Sequence, residues 1–246
     1  MSFTYQSEDE PQESETAIND VERVRPDPPY YTIVLIVAIV FVAITQIVTG
    51  LEASILSAGF VKPAFLQDHE YWRILTGAAT HGSIPHVAMN CYAFYSFGRI
   101  FEMLSNKAHL AIVFLIAAVG GGILSLIFMP DGISVGASGG VVGLIGYLLV
   151  YAFRRRQFIS AEFRKSLLIN VGFILVFGLV LYQTIDNFGH IGGFITGAIY
   201  GLLQIPTDEF VDPRSASSGV EFAGLAAVGI YVATCVFSIL LILRIV

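Results

Sequence analysis

Hydrophobic positions in this chain fall in long unbroken blocks, not in the alternation of a half-buried strand or the one-sided stripe of a surface helix. Seven blocks nearly free of charge follow residue 29: Tyr30–Gly50, His86–Met103, Leu110–Met129, Ser138–Phe153, Leu167–Ile185, His190–Gln204 and Phe222–Leu243. About 20 apolar residues in a helix cross ~30 Å of hydrocarbon, and a helix satisfies its own backbone in lipid, so each block predicts a membrane helix. The chain divides into a polar tail (1–29), a six-helix core (30–204), a polar linker (205–220) and a seventh helix in the C-terminal segment 221–246.

Composition agrees: 55% hydrophobic against 13% charged residues excludes an ordinary soluble fold. Charge is concentrated at one end. Residues 1–30 hold eight of the 19 acids and two of the 13 bases, so the net charge of −6 belongs to the tail and the rest is balanced. Such an acidic, aliphatic-poor stretch ending in Pro26-Asp-Pro-Pro29 reads as disordered. It lacks the basic start and cleavage site of a signal peptide. No basic stripe suggests nucleic acid. Cys91 and Cys235 sit in apolar runs without metal-ligand spacing and read as small hydrophobes.

Lysines and arginines set the orientation, because positive loops stay on the cytoplasmic side. With the tail inside, ten basic residues fall on the inner side and three (Lys62, Arg73, Arg244) on the outer side. The second, fourth and sixth helices then begin near the outer face. The fourth and sixth blocks are short, with 16 and 15 residues, or roughly 22 to 24 Å. Spans of that length fit best inside the bundle, their outer ends beneath the membrane surface and below a wet cavity.

Those two helices open with Ser138, in Gly136-Ala-Ser-Gly139, and with His190, in Asp186-Asn-Phe-Gly-His-Ile-Gly-Gly193. Gly139, Gly143 and Gly146 on one, and Gly193, Gly197 and Gly201 on the other, recur at helical spacing and permit close backbone approach. The spacing predicts that the helices touch and that Ser138 meets His190. A serine hydroxyl becomes a nucleophile when a neutral imidazole takes its proton. A helix N-terminus beneath it supplies unpaired N–H groups for an oxyanion. Either string alone carries little weight, since serine is a common cap and a lone histidine is usually structural. The second helix adds His86 and, four residues on, Asn90, with His81 in the preceding loop. All lie near the same outer level, where intramembrane polar groups tend to be functional.

Tyr71-Trp-Arg73, the His81, His86, Asn90 series, Gly136-Ala-Ser138-Gly139 and His190-x-x-Gly193-x-x-x-Gly197 occur in an order that resembles the rhomboid intramembrane serine proteases, over roughly Tyr31 to Gln204. The resemblance implies an all-α membrane protein, a six-helix rhomboid-like core with an appended seventh helix, that hydrolyses peptide bonds in or beside transmembrane helices of membrane-protein substrates. It implies a Ser138/His190 dyad with no metal or other cofactor. His86, Asn90 and the Ser138 amide would form the oxyanion site, with His81, Gly136, Gly193 and Gly197 in structural support. Its partners would be those substrates and the lipid bilayer, and its location the cell membrane with the N-terminus cytoplasmic. Val142 stands where many members carry an aromatic that stacks on the histidine. Asp186, four residues before His190, suggests a triad, but the resemblance implies a dyad. Alternatives are a non-catalytic rhomboid-like protein that binds transmembrane segments, a transporter or channel, and a metalloprotease. The last two lack their signatures: no charge lies mid-span, there is no inverted repeat, and there is no His-Glu-x-x-His.

Overall fold

The computed structural model describes residues 27–246; of the tail expected to be disordered, residues 1–29, all but the last three lie outside the described residues. The chain forms α1 (Tyr30–Thr49), α2 (Leu51–Ala58), β1 (Phe60–Val61), α3 (Lys62–Gln67), α4 (Arg73–Thr76), α5 (Ile84–Leu104), α6 (Lys107–Phe128), β2 (Ile133–Ser134), α7 (Ser138–Arg154), α8 (Ala161–Val180), α9 (Asn187–Gln204) and α10 (Ser218–Ile242). Seven of these helices have 17 residues or more, one for each apolar block. Four, α1, α6, α8 and α10, are both long and apolar enough by themselves to cross a membrane.

Five of the seven long helices start earlier than their apolar blocks, because a helix begins at its cap and not where hydrocarbon begins. Ser83 caps α5 by accepting from the His86 amide at 3.2 Å, and Asn106 caps α6 through Ala108 N–H at 2.7 Å. Ser160 starts α8 six residues ahead of Leu167, accepting from Phe163 N–H at 3.1 Å. Asp186 starts α9 at Asn187, so His190 is its fourth residue, not its first. This corrects the expected length of the sixth helix: α9 has 18 residues, and only α7, at 17, is short. Residues 181–185 end α8 in a turn, the Thr184 and Ile185 amides both bonding to Leu181 O.

α7 runs through the centre; Leu144, Ile145, Tyr147 and Leu148 on it are essentially inaccessible. α9 and α6 flank it, α5 covers another side, and α8 is peripheral, burying only Leu167 and Gly178. The loop from α1 to α5 is more structured than its sequence suggests. β1 pairs antiparallel with β2, Phe60 opposite Ser134 and Val61 opposite Ile133. Arg73 gathers the loop by donating from Nη1 to Leu56 O (3.1 Å) and Gly59 O (2.9 Å) while its Nε meets Glu70.

α10 lies against α1 and α6 and reaches the same loop. The wholly buried Tyr231 hydroxyl donates to Ala78 O at 2.9 Å. Tyr231→Phe strands that carbonyl and is expected to destabilise the protein by ~1–3 kcal/mol, read as a lower thermal midpoint in detergent.

Candidate active site

Ser138 is the first residue of α7, and the chain reaches it through a backbone conformation that dictates glycine. Gly136 has φ +116°, and a Cβ there would lie 2.8 Å from the His86 ring. Its N–H is tied to Gly77 O at 2.9 Å, so the turn before the serine is pinned to the preceding loop. With Ala137 as the cap, the first amides of α7 have no carbonyl one turn back to bond.

His190 faces Ser138 from α9: Nε2 stands 2.8 Å from Oγ. The approach follows from the glycines. A Cβ on Gly193 would collide with Gly139 O, and one on Gly197 with Gly143 O, so α7 and α9 meet backbone to backbone. The same device holds α9 to α6, where a Cβ on Gly192 would fall 2.6 Å from Gly120 O. A hydroxyl and an imidazole at this separation, above unpaired helix amides, have the geometry of a nucleophile and its base.

Asp186 does not complete a triad. Its Oδ1 accepts from Gly189 N–H at 2.8 Å, while Oδ2 accepts from the Ser134 hydroxyl at 2.5 Å and from Ser125. His190 Nδ1 is buried without a hydrogen-bond partner among the described residues.

The other sequence candidates gather on the side of Gly136. His86 Nδ1 accepts from Gly82 N–H at 3.4 Å, which leaves the ring proton on Nε2, on the ring edge that faces Gly136. Asn90, one turn on, gives one amide hydrogen to His86 O at 3.0 Å and retains a second. His81 is buried and belongs to the loop scaffold. Gln46 clamps it from α1, accepting from its N–H at 2.9 Å and donating to its carbonyl at 3.1 Å, and His81 Nε2 accepts from Ala137 N–H at 3.5 Å. The T-shaped contact of the His81 and His86 rings, 5.2 Å between centroids, links this scaffold to α5.

A cavity of about 40 Å³ opens beside the Ser138 and His190 pair, with Gly77, Ala78 and Gly121 among its small lining residues and Ser134 and Asp186 along one wall. That is room for ordered water. Sequence reasoning missed Gln46, Lys62, Ser125 and Ser134, which shape this surround. Gln46 and Ser125 had a signal in being polar inside apolar blocks, but no spacing rule names their partners.

Residues 68–207, more than half of the chain, match the rhomboid domain family. The chain is 33% identical over 156 residues to RHOMBOID-like protein 6, mitochondrial, of Arabidopsis thaliana, covering 62% of this chain and 50% of that one. It is 32% identical over 144 residues to rhomboid protease GluP of Bacillus subtilis (strain 168), covering 58% and 28%. It is also 31% identical over 143 residues to inactive rhomboid protein 1 of Papio anubis, covering 57% and 16%. The matched stretch thus spans half or less of each of these curated relatives. Several apolar helices and the extent of the family match converge on one conclusion: this multi-pass membrane protein belongs to the rhomboid family.

Proposed function

We propose that the chain is an intramembrane serine endopeptidase that cleaves transmembrane segments of membrane proteins. The observation that carries this reading is the 2.8 Å approach of His190 Nε2 to Ser138 Oγ at the first turn of α7. Ser138 Oγ attacks the scissile carbonyl as its proton passes to His190 Nε2. The oxyanion that forms takes hydrogen bonds from the Ser138 amide, His86 Nε2–H and the second amide hydrogen of Asn90. Collapse breaks the C–N bond, and His190 returns the proton to the leaving amine. A water then enters, gives its proton to His190 and attacks the acyl-serine, which regenerates the hydroxyl. His81 braces the loop through Gln46, and Gly136, Gly193 and Gly197 permit the close approaches.

The seven long helices are proposed to form six core spans and an added seventh. In that arrangement α5, α7 and α9, which do not qualify alone, cross in the shelter of α1, α6, α8 and α10. We further propose a cytoplasmic N-terminus, a reading that the ten-to-three distribution of basic residues supports, and a location in the cell membrane.

A serine-directed fluorophosphonate tests the reading: it should label the wild-type protein and not Ser138→Ala. Absence of labelling in the wild type would favour the non-catalytic alternative, a protein that only binds transmembrane segments. Asn90→Ala removes one oxyanion donor and is expected to lower kcat by ~10²-fold with KM nearly unchanged, measured on a transmembrane substrate in proteoliposomes.

A further inference from the structure

Lys62 has no exposed surface, although it is the sort of residue that normally keeps its ammonium in water. It stands in the loop between α1 and α5, at the start of α3. Its Nζ donates to Ser125 Oγ on α6 at 2.7 Å. Ser125 in turn gives its only proton to Asp186 Oδ2, which also accepts from Ser134 Oγ at 2.5 Å. The donors therefore run one way, from an ammonium through a hydroxyl to a carboxylate, and a buried charge is kept where an opposite charge and hydrogen bonds compensate it. Burial holds the Lys62 ammonium below the ordinary lysine value, and the Asp186 charge offsets only part of that shift.

Both ends of this relay are attached to the backbone that carries the reacting groups. Asp186 caps α9 through Gly189 N–H at 2.8 Å, and its carbonyl accepts from the His190 amide at 3.1 Å. Lys62 donates its own backbone N–H to Gly132 O at 3.2 Å, beside β2, and β2 leads directly to Gly136 and Ser138. One side of the relay fixes the first turn of the base helix and the other fixes the approach to the nucleophile.

We infer that Lys62 and Asp186, bridged by Ser125, are positioning residues that hold His190 in register with Ser138. The inference rests on the protease reading above. Neither residue touches the reacting atoms. Loss of Asp186 leaves the Lys62 ammonium buried without an opposite charge, loss of Lys62 removes the cation that faces the half-buried Asp186 carboxylate, and in either case the first turn of α9 shifts against α7. Reactions that need Oγ and Nε2 in line then slow, while substrate binding along the helices is little changed.

The test compares the full chain with Lys62→Met, Asp186→Asn and the double variant, recording kcat and KM for a transmembrane substrate well below each variant's thermal midpoint. Asparagine keeps a good helix cap, and methionine keeps the length of the lysine stem. Each single change is expected to lower kcat about tenfold with KM within about twofold, and the double variant should lose far less than the product of the two, as a coupled pair does. A merely structural role would lower the thermal midpoint and leave kcat intact; that result, or losses that multiply independently, overturns the inference. If Lys62→Met does not fold, Ser125→Ala, which breaks the relay and keeps both charges, takes its place beside Asp186→Asn, and wild-type kcat in both overturns it. A wild-type protein that neither cleaves nor accepts fluorophosphonate removes the protease reading and this inference together. A reactive wild type with unaffected variants removes this inference alone.

Discussion

Ser138→Ala and His190→Ala are each expected to leave a folded protein whose cleavage of a transmembrane substrate is slower by at least ~10³-fold. The fold should survive because little else depends on either side chain. The Ser138 hydroxyl is bonded to His190 alone among the described residues, both residues are half-buried, and α7 and α9 are held by glycine contacts. The stability lost should be on the order of 1 kcal/mol, the usual net worth of one hydrogen bond. The chemical loss is much larger, since one variant lacks the attacking oxygen and the other lacks the group that takes its proton. The two should not be additive: the double variant should cleave no more slowly than Ser138→Ala, because a base without its nucleophile does nothing. Cleavage assays in proteoliposomes with a thermal melt of each variant supply the check. Undiminished cleavage by purified Ser138→Ala protein would end the proposed mechanism.

The expected approach of α7 and α9 was legible in the sequence because glycine spacing is a local code: residues three and four apart share a face, and a missing Cβ means close contact. Ser138, His190, His86 and Asn90 were legible for a related reason, as polar groups in otherwise apolar blocks. Helix starts were misplaced where the cap lies outside the block, as at Ser160 and Asp186. The role of Asp186 was open for the same cause. From the sequence it stands one turn before His190, a position open to a third catalytic group. In the fold its oxygens are taken by Gly189, Ser134 and Ser125. What could not be read was the loop before α5. The pairing of β1 with β2 and the burial of Lys62 depend on partners 60 or more residues away, and no periodicity encodes such contacts.

Gly197→Leu is expected to destabilise the protein by more than ~3 kcal/mol, beyond the usual cost of overpacking, and to abolish fluorophosphonate labelling although no reacting group is altered. The new side chain would have to occupy the position of Gly143 O, and backbone cannot rotate away as a flexible side chain can. Nor can α9 retreat, because its other side is closed against α6 at Gly192 and Gly120 O. Relief therefore requires α7 and α9 to separate or slide, and either motion carries His190 Nε2 out of hydrogen-bond reach of Ser138 Oγ. Gly229→Ala on α10 provides the control: a Cβ there meets nothing within 4 Å, so only helix propensity changes, by up to ~1 kcal/mol in favour of the variant. Thermal unfolding in detergent, read beside labelling, separates the two cases. Wild-type melting and labelling in Gly197→Leu would mean that backbone contact between these helices does not set the geometry of the pair.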